Sequence, residues 1–394
     1  MPAATNTRCA GSWERFALAR NSSVMSQQAS QGSVDMRPSR LLALRESLGR
    51  ANLDALLVSS LPSIRYLTGF AGSNALVVVT ARDCVLLTDF RYATQAQDEV
   101  GTSATVRIEA SSLWSGLWAQ LGGITGVDRV GFESAHLLHR DFQRLLEQGS
   151  RWQWRPTTEL VEELRVSKDA GEVAHIRRAV AIAESALSAT LPALRPGLTE
   201  TQVAGLLERA LREAGSDAFP FPSIVASGER SALPHARAAD RMLQRGDFVL
   251  LDFGAVYAGY CSDITRTVVL GAASAAQREV YDVVKEANAR ASGAVRAGMR
   301  GMAADAIARE YIDGRGFGEA FGHSLGHGIG LEVHEAPRLA KTADAPLPLG
   351  SVVTIEPGIY RAGWGGVRIE DDVLLLGEGP QVLTSFPREL HEID

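Results

Sequence analysis

The stretch FVLLDFGAVYAGYCSDITRTVVL, Phe248–Leu270, decides how the second half of the chain folds. Two apolar runs, each carrying one aspartate, flank Tyr257-Ala258-Gly259, so the segment reads as a tight β-hairpin. Asp252 and Asp263 stand 11 positions apart around that turn. The odd separation predicts that they are direct cross-strand neighbours on one sheet face. A carboxylate set among Val, Ile and Leu is costly to bury without a cation, a hydrogen-bond network or a proton.

The pattern recurs downstream. Glu356 in SVVTIEPG (Ser351–Gly358) and Glu370 in VRIEDDVLLL (Val367–Leu376) flank Gly363, Gly365 and Gly366, which predicts a second hairpin. Four of the eight histidines, His235, His323, His327 and His334, fall in the same region. His323, His327 and His334 have the spacing of one helical face. Gly322, Gly326, Gly328 and Gly330 interleave them, however, and argue for a bend-rich strand whose glycines let the backbone approach a metal. Four buried carboxylates and an imidazole suit two adjacent divalent ions of oxygen preference, Mn²⁺ first, with Co²⁺ or Zn²⁺ next. His136, His139, His175 and His391 read as surface or packing residues.

Helical periodicity frames these strands. Val173, Ile176, Val180, Leu187 and Leu191 keep to one stripe that Pro192 and Pro196-Gly197 end. Further helices are expected near Glu200–Ala214, Gln277–Val295 and Ala303–Tyr311, covering one face of an antiparallel sheet. The first half differs. Ala55–Val58, Ala75–Val79, Cys84–Leu87 and Val130–Phe132 read as strands among helices at Arg91–Val100 and His136–Gln148, a small α/β unit with a mixed sheet. It is expected to end in the polar stretch around Arg155-Pro156-Thr157-Thr158. The organisation is then a disordered tail over 1–35, an α/β domain over 36–160 and an α+β domain over 161–394. The tail lacks an apolar core for a signal peptide; a transit peptide is the rival reading, and translation starting at Met36 is another.

Composition narrows the function classes. The 394 residues are 45% apolar and 22% charged, ordinary globular usage. Forty basic against 46 acidic side chains leave a net charge of −6, with no basic stripe for nucleic acid. No run of eighteen apolar residues is present for a membrane helix. Three dispersed cysteines, Cys9, Cys84 and Cys261, form no disulfide framework and suit a reducing, cytoplasmic compartment.

The chain resembles the pita-bread dinuclear metallopeptidases, the family of methionine aminopeptidase, aminopeptidase P and prolidase. The resemblance is carried by Phe221–Ala236 (FPSIVASGERSALPHA), Leu250–Thr267, His323–Arg338 (HSLGHGIGLEVHEAPR), Thr354–Tyr360 (TIEPGIY) and Gly365–Leu375 (GGVRIEDDVLL). In the first half, Ser63–Val79 (SIRYLTGFAGSNALVVV) and Leu86–Ala96 (LLTDFRYATQA) resemble the smaller N-terminal domain of the Xaa-Pro branch. The resemblance implies a creatinase/prolidase-like N-terminal domain and a pita-bread catalytic domain. It implies a metal set of Asp252, Asp263, His327, Glu356 and Glu370, with Asp263 and Glu370 bridging two ions. Such bridges hold ions about 3.5–4 Å apart. Glu356 resembles the residue that takes a proton from the attacking water, and His235 and His334 the pair that hold the scissile carbonyl. His323 and Arg368 resemble residues that back the ligands or line the substrate pocket; Tyr360 and Tyr257 are candidates for hydrogen bonding nearby, with packing as the alternative.

The implied activity is cleavage between an N-terminal residue and proline. Arg338 in HEAPR stands where some prolidases carry an arginine for the substrate carboxylate, which favours an Xaa-Pro dipeptidase. An Xaa-Pro aminopeptidase acting on longer peptides is the alternative. A metal-free creatinase-like hydrolase and a non-catalytic binding module stay open. The resemblance also implies a homodimer.

Overall fold

A computed structural model of the protein describes residues 35–394. The expected tail, Asp35 apart, and Cys9 lie outside the described residues. Six strands, β1 (Ala55–Val58), β2 (Ala75–Thr80), β3 (Cys84–Asp89), β4 (Thr105–Glu109), β5 (Arg129–Glu133) and β6 (Gln153–Thr157), form the first sheet. Their order is β4-β3-β2-β1-β5-β6. The sheet is mixed, as expected: β2 runs antiparallel to β1 and β3, while β4, β5 and β6 join in parallel.

Alternation along these strands makes two cores. Leu56, Val58, Val77, Val79 and Leu86 pack with Leu41, Leu44, Ile64 and Leu67 of the helices Arg37–Arg50 and Leu61–Thr68. Leu57, Leu76, Val78 and Leu87 pack on the opposite face with Leu117, Leu121 and Leu145 of the helices Leu113–Gly122 and His139–Gln148. Because both faces are covered, β1 and β2 are buried throughout and, Thr80 apart, apolar. The edge strands β4 and β6 are largely exposed and carry no such signal. The polar stretch at Arg155-Pro156-Thr157, where the first unit was expected to end, belongs to β6, the last strand of this sheet. Proline is tolerated there because an edge strand leaves one row of N–H positions unpaired.

The second half contains the helices Ala170–Thr190, Glu200–Glu213, Ala275–Ala294 and Gly301–Gly314. The first two begin in capping boxes, Asp169 with Glu172 and Thr199 with Gln202. The strands are β7 (Ile224–Ser227), β8 (Phe248–Phe253), β9 (Val256–Tyr257), β10 (Tyr260–Cys261), β11 (Ile264–Leu270), β12 (Gly326–Gly328) and β13 (Glu335–Leu339). They continue with β14 (Val352–Ile355), β15 (Gly358–Arg361), β16 (Gly365–Arg368), β17 (Asp371–Leu375), β18 (Pro380–Val382) and β19 (Glu392–Ile393). Two sheets dominate, ordered β19-β11-β8-β7 and β13-β12-β14-β17-β18. Apart from β19 beside β11, neighbouring strands are antiparallel.

Strand alternation also decides which side chains reach the site. Val249, Leu251 and Phe253 of β8 join Ile176, Leu187, Val203 and Leu207 in one core, which turns Asp252 to the other face. A second core sets Val280, Val284, Ala304 and Ala308 against Val353, Ile355 and Val373.

The two halves are tied by ions. Arg165, on the helix Glu162–Val166 and only 2% exposed, pairs with Glu332 at 2.7 Å and with Glu335. Lys168 Nζ lies 3.1 Å from Glu335 Oε2. Among the described residues, no helix is long and apolar enough to cross a membrane.

Candidate metal centre

The hairpin of Phe248–Leu270 forms, but with a different centre. Ala258 and Gly259 have φ of 49° and 81° and make a two-residue turn of the primed kind, between β9 and β10. The turn is thus centred one residue later than the expected pairing requires, and Asp252 pairs with Thr265 rather than with Asp263. Asp263 sits two residues before Thr265, so it is a diagonal neighbour of Asp252 on the same face. Both aspartates are buried, at 8% and 5% exposure.

The second hairpin holds as expected. Ile355 pairs with Asp371 in one ladder and Gly358 with Arg368 in the next, a single register that sets Glu356 opposite Glu370. Glu370 is 2% exposed and accepts a 2.6 Å hydrogen bond from the Thr265 hydroxyl. The Thr354 hydroxyl donates to Glu356 Oε1 at 3.3 Å. The backbone N–H of Asp263 donates to Asp372 Oδ2 at 3.2 Å.

His327 enters from β12, a strand and not a helix. Gly326 and Gly328 flank it for a reason other than metal approach. A Cβ at Gly326 would run into the Thr354 carbonyl, and one at Gly328 into the Ala336 carbonyl. The glycines let neighbouring strands close on β12 from both sides. His327 Nδ1 lies 3.0 Å from the Gly328 carbonyl, which places its proton there and leaves the Nε2 lone pair facing the carboxylates. Nε2 is 3.5 Å from Glu356 Oε1 and 3.9 Å from Asp263 Oδ2. Ligand atoms of Asp263, His327 and Glu370 all lie within 4.8 Å of one another.

Without a cation this cluster is electrostatically frustrated. Burial, reinforced by the neighbouring carboxylates, pushes Asp263 and Glu356 well above the usual carboxylate range and Glu370 up to about 8. Burial presses His327 and His323 down to about 4. Asp263 Oδ1 is buried with no hydrogen-bond partner. Arg368, 3% exposed, is the cation that Asp252 already uses, through Nη2 to Oδ2. An oxygen-rich donor set with an orphan carboxylate oxygen and a free imidazole nitrogen fits divalent ions.

The cluster forms the floor of a cleft of about 1480 Å³. His235 and His334 are exposed along its wall, and the His334 ring centre lies 4.4 Å from that of His327. His323 Nε2 is 2.9 Å from the Tyr360 hydroxyl, which accepts from Arg368 Nη1 at 2.7 Å. Arg338 lines the cleft from β13, directly opposite His327 on β12. Tyr257 is not part of the site; its ring lies 5.9 Å from His175. His136, read as a surface or packing residue, lines the cleft and pairs with Glu162 at 3.0 Å.

Sequence reasoning passed over Thr265 and Thr354, whose hydroxyls bond the Glu370 and Glu356 side chains, and Asp372, which accepts from the Asp263 backbone N–H. Thr265 and Asp263 are two positions apart, a same-face spacing that was a usable signal.

Comparison with known proteins matches residues 40–167 to the creatinase/prolidase N-terminal domain and residues 174–376 to metallopeptidase family M24. The chain belongs to metallopeptidase family M24. This M24 protein therefore combines a creatinase-type N-terminal domain with a pita-bread catalytic domain. It is 34% identical to an Xaa-Pro dipeptidase of Pyrococcus horikoshii over 91% of this chain and all of that one. An Xaa-Pro dipeptidase structure from Bacillus anthracis is 40% identical with a TM-score of 0.87, covering 91% of this chain and 100% of its own. An X-Pro aminopeptidase structure from Thermotoga maritima is 38% identical with a TM-score of 0.82, covering 90% and 99%.

Proposed function

We propose that this M24 protein is a dinuclear metallopeptidase that hydrolyses the bond between an N-terminal residue and proline, with Xaa-Pro dipeptides as preferred substrates. The observation that carries the reading is the convergence of Asp252, Asp263, His327, Glu356 and Glu370 on the floor of one cleft. These five side chains would hold two divalent ions per chain, Mn²⁺ by preference, with Asp263 and Glu370 shared between them. What the ions supply when bound is acidification of a water and polarisation of the scissile carbonyl.

The chain's own groups do the rest. Glu356, which lines the cleft beside His327, takes the proton of the attacking water. His235 and His334 hold the carbonyl oxygen as charge develops on it. Arg368 and His323 meet on the Tyr360 hydroxyl, which fixes the wall of the pocket. A proline amide has no N–H to offer, so selection falls to pocket shape and to Arg338, which reaches for the free carboxylate of a dipeptide. The resemblance also supports a homodimer, and the dispersed cysteines a cytoplasmic location.

Cleavage of longer peptides is the second reading. The large cleft and the similarity to the Thermotoga maritima enzyme favour it. Hydrolysis of Ala-Pro against Ala-Pro-Ala by metal-reconstituted protein separates the two. Faster cleavage of Ala-Pro supports the dipeptidase. Retention of activity after complete metal removal would overturn both readings in favour of a metal-free hydrolase. Failure to bind metal or cleave either peptide would leave a binding module.

A further inference from the structure

Glu200 opens the helix Glu200–Glu213 and is completely buried. A carboxylate in that position must be satisfied by the protein around it. One segment, residues 227–241, supplies nearly all of what it needs. Glu200 Oε1 accepts from the backbone N–H and the hydroxyl of Ser227, each at 2.8 Å. Oε2 accepts from the backbone N–H of Ala239 at 3.1 Å. Arg230 Nε lies 3.3 and 3.1 Å from the two oxygens, and its Nη2 donates to the Arg237 carbonyl at 2.7 Å.

The helix backbone adds two more ties. Glu200 N–H donates to the Arg241 carbonyl at 3.0 Å, and Thr201 N–H to the Ala239 carbonyl at 3.1 Å. The beginning, middle and end of the segment are thus gathered on one buried side chain. His235 lies between those ties, exposed along the cleft, so its place depends on the backbone that carries it. On the other side of the segment, Arg368 Nη1 donates to the Pro234 carbonyl at 3.3 Å. The residue before His235 is therefore pinned to the guanidinium that also holds Asp252.

We propose that Glu200 is a positioning residue for the reaction, acting through residues 227–241 to hold His235 at the scissile carbonyl. The inference rests on the role given to His235 above. Glu200 touches neither substrate nor metal ligand. Its effect is on geometry: a displacement of His235 by about 1 Å is enough to slow the chemical step severely.

The test is a double-mutant cycle in the metal-loaded full chain, with kcat and KM for Ala-Pro, bound metal and Tm measured for each variant. Glu200→Gln is expected to lower kcat about tenfold while KM stays within about twofold. Bound metal is expected to stay at the wild-type level. Arg230→Met, at a partly exposed partner, should give a smaller loss in the same direction and decides the cycle if Glu200→Gln does not fold. In a His235→Ala background, either change should cost less than about twofold more. Losses that multiply in the double variants, or an unchanged kcat in both single ones, would overturn the inference. An unchanged kcat in His235→Ala alone would instead overturn the role of His235.

Discussion

Thr265 donates its hydroxyl proton to Glu370, Oγ1 to Oε2 at 2.6 Å, while accepting from Arg368 Nε at 3.0 Å. One small side chain thus fixes a carboxylate of the acidic cluster and the guanidinium beside it. Thr265→Val keeps the shape and the strand preference but removes both bonds. Metal affinity is expected to fall about 10–100-fold, read by competition with a chelator, with activity recovering at saturating metal. Unchanged affinity would reduce the hydroxyl to packing.

The two residues proposed to bridge the ions should behave as a unit. Asp263→Ala or Glu370→Ala is expected to abolish Ala-Pro hydrolysis and to lower bound metal below two ions per chain, measured by elemental analysis after dialysis. Full activity in either variant would remove the dinuclear reading.

Protonation should report on the acidic cluster before metal is added. In metal-free protein, burial and the Asp252 charge raise Glu370 to about 8 from its ordinary 4.5. The folded state then binds more protons than the unfolded chain between those values, so its stability is lost as pH rises through about 8. His323 and His327, lowered to about 4, act in the opposite sense, but only below their ordinary 6.5. The interval from about 6.5 to about 8 therefore leaves these two histidines out and reports the raised carboxylates, Asp263, Glu356 and Glu370, together, all with the same sign. Melting temperature of chelated protein should fall with pH there, and excess Mn²⁺ should remove the fall. A flat or rising melting temperature in the chelated protein would contradict this account.

Arg338 decides between the two substrate lengths. A charge-assisted pair with the free carboxylate of Ala-Pro contributes about 1.5–3 kcal/mol, and Ala-Pro-Ala has an amide in that place. Arg338→Ala should lower kcat/KM for Ala-Pro by roughly one to two orders of magnitude and barely change it for Ala-Pro-Ala. Equal losses on both substrates would make the aminopeptidase the better description.

The acidic cluster was legible because a carboxylate in a run such as FVLLD or VVTIE contradicts its surroundings. The second hairpin followed from the glycine-rich turn between Glu356 and Glu370, and the structure keeps it. The Asp252–Asp263 register did not follow, because left-handed backbone at Ala258, not only at Gly259, moves the turn centre. A non-glycine residue gives little warning of that conformation. Strands β4 and β6 were missed because exposed edges have no apolar pattern to read. Thr265 and Thr354 look like ordinary strand formers until their hydroxyls are seen against Glu370 and Glu356. Nothing local could disclose Arg165, whose acidic partners lie 167 and 170 positions away.

That last contact bears on how such a protein can be recombined. The two family matches meet between residues 167 and 174, an inviting place to exchange halves among relatives. Arg165 and Lys168, however, neutralise Glu335, whose side chain is 7% exposed. A hybrid that imported an uncharged residue at either position would bury acid against too little base, and breaking such a pair costs about 3–5 kcal/mol. His334 stands on the backbone between Glu332 and Glu335, so a mismatch in the imported half would also be felt at the wall of the cleft. Inheritance of the two halves is therefore tied to the charges at residues 165 and 168, not to the place where the chain is cut.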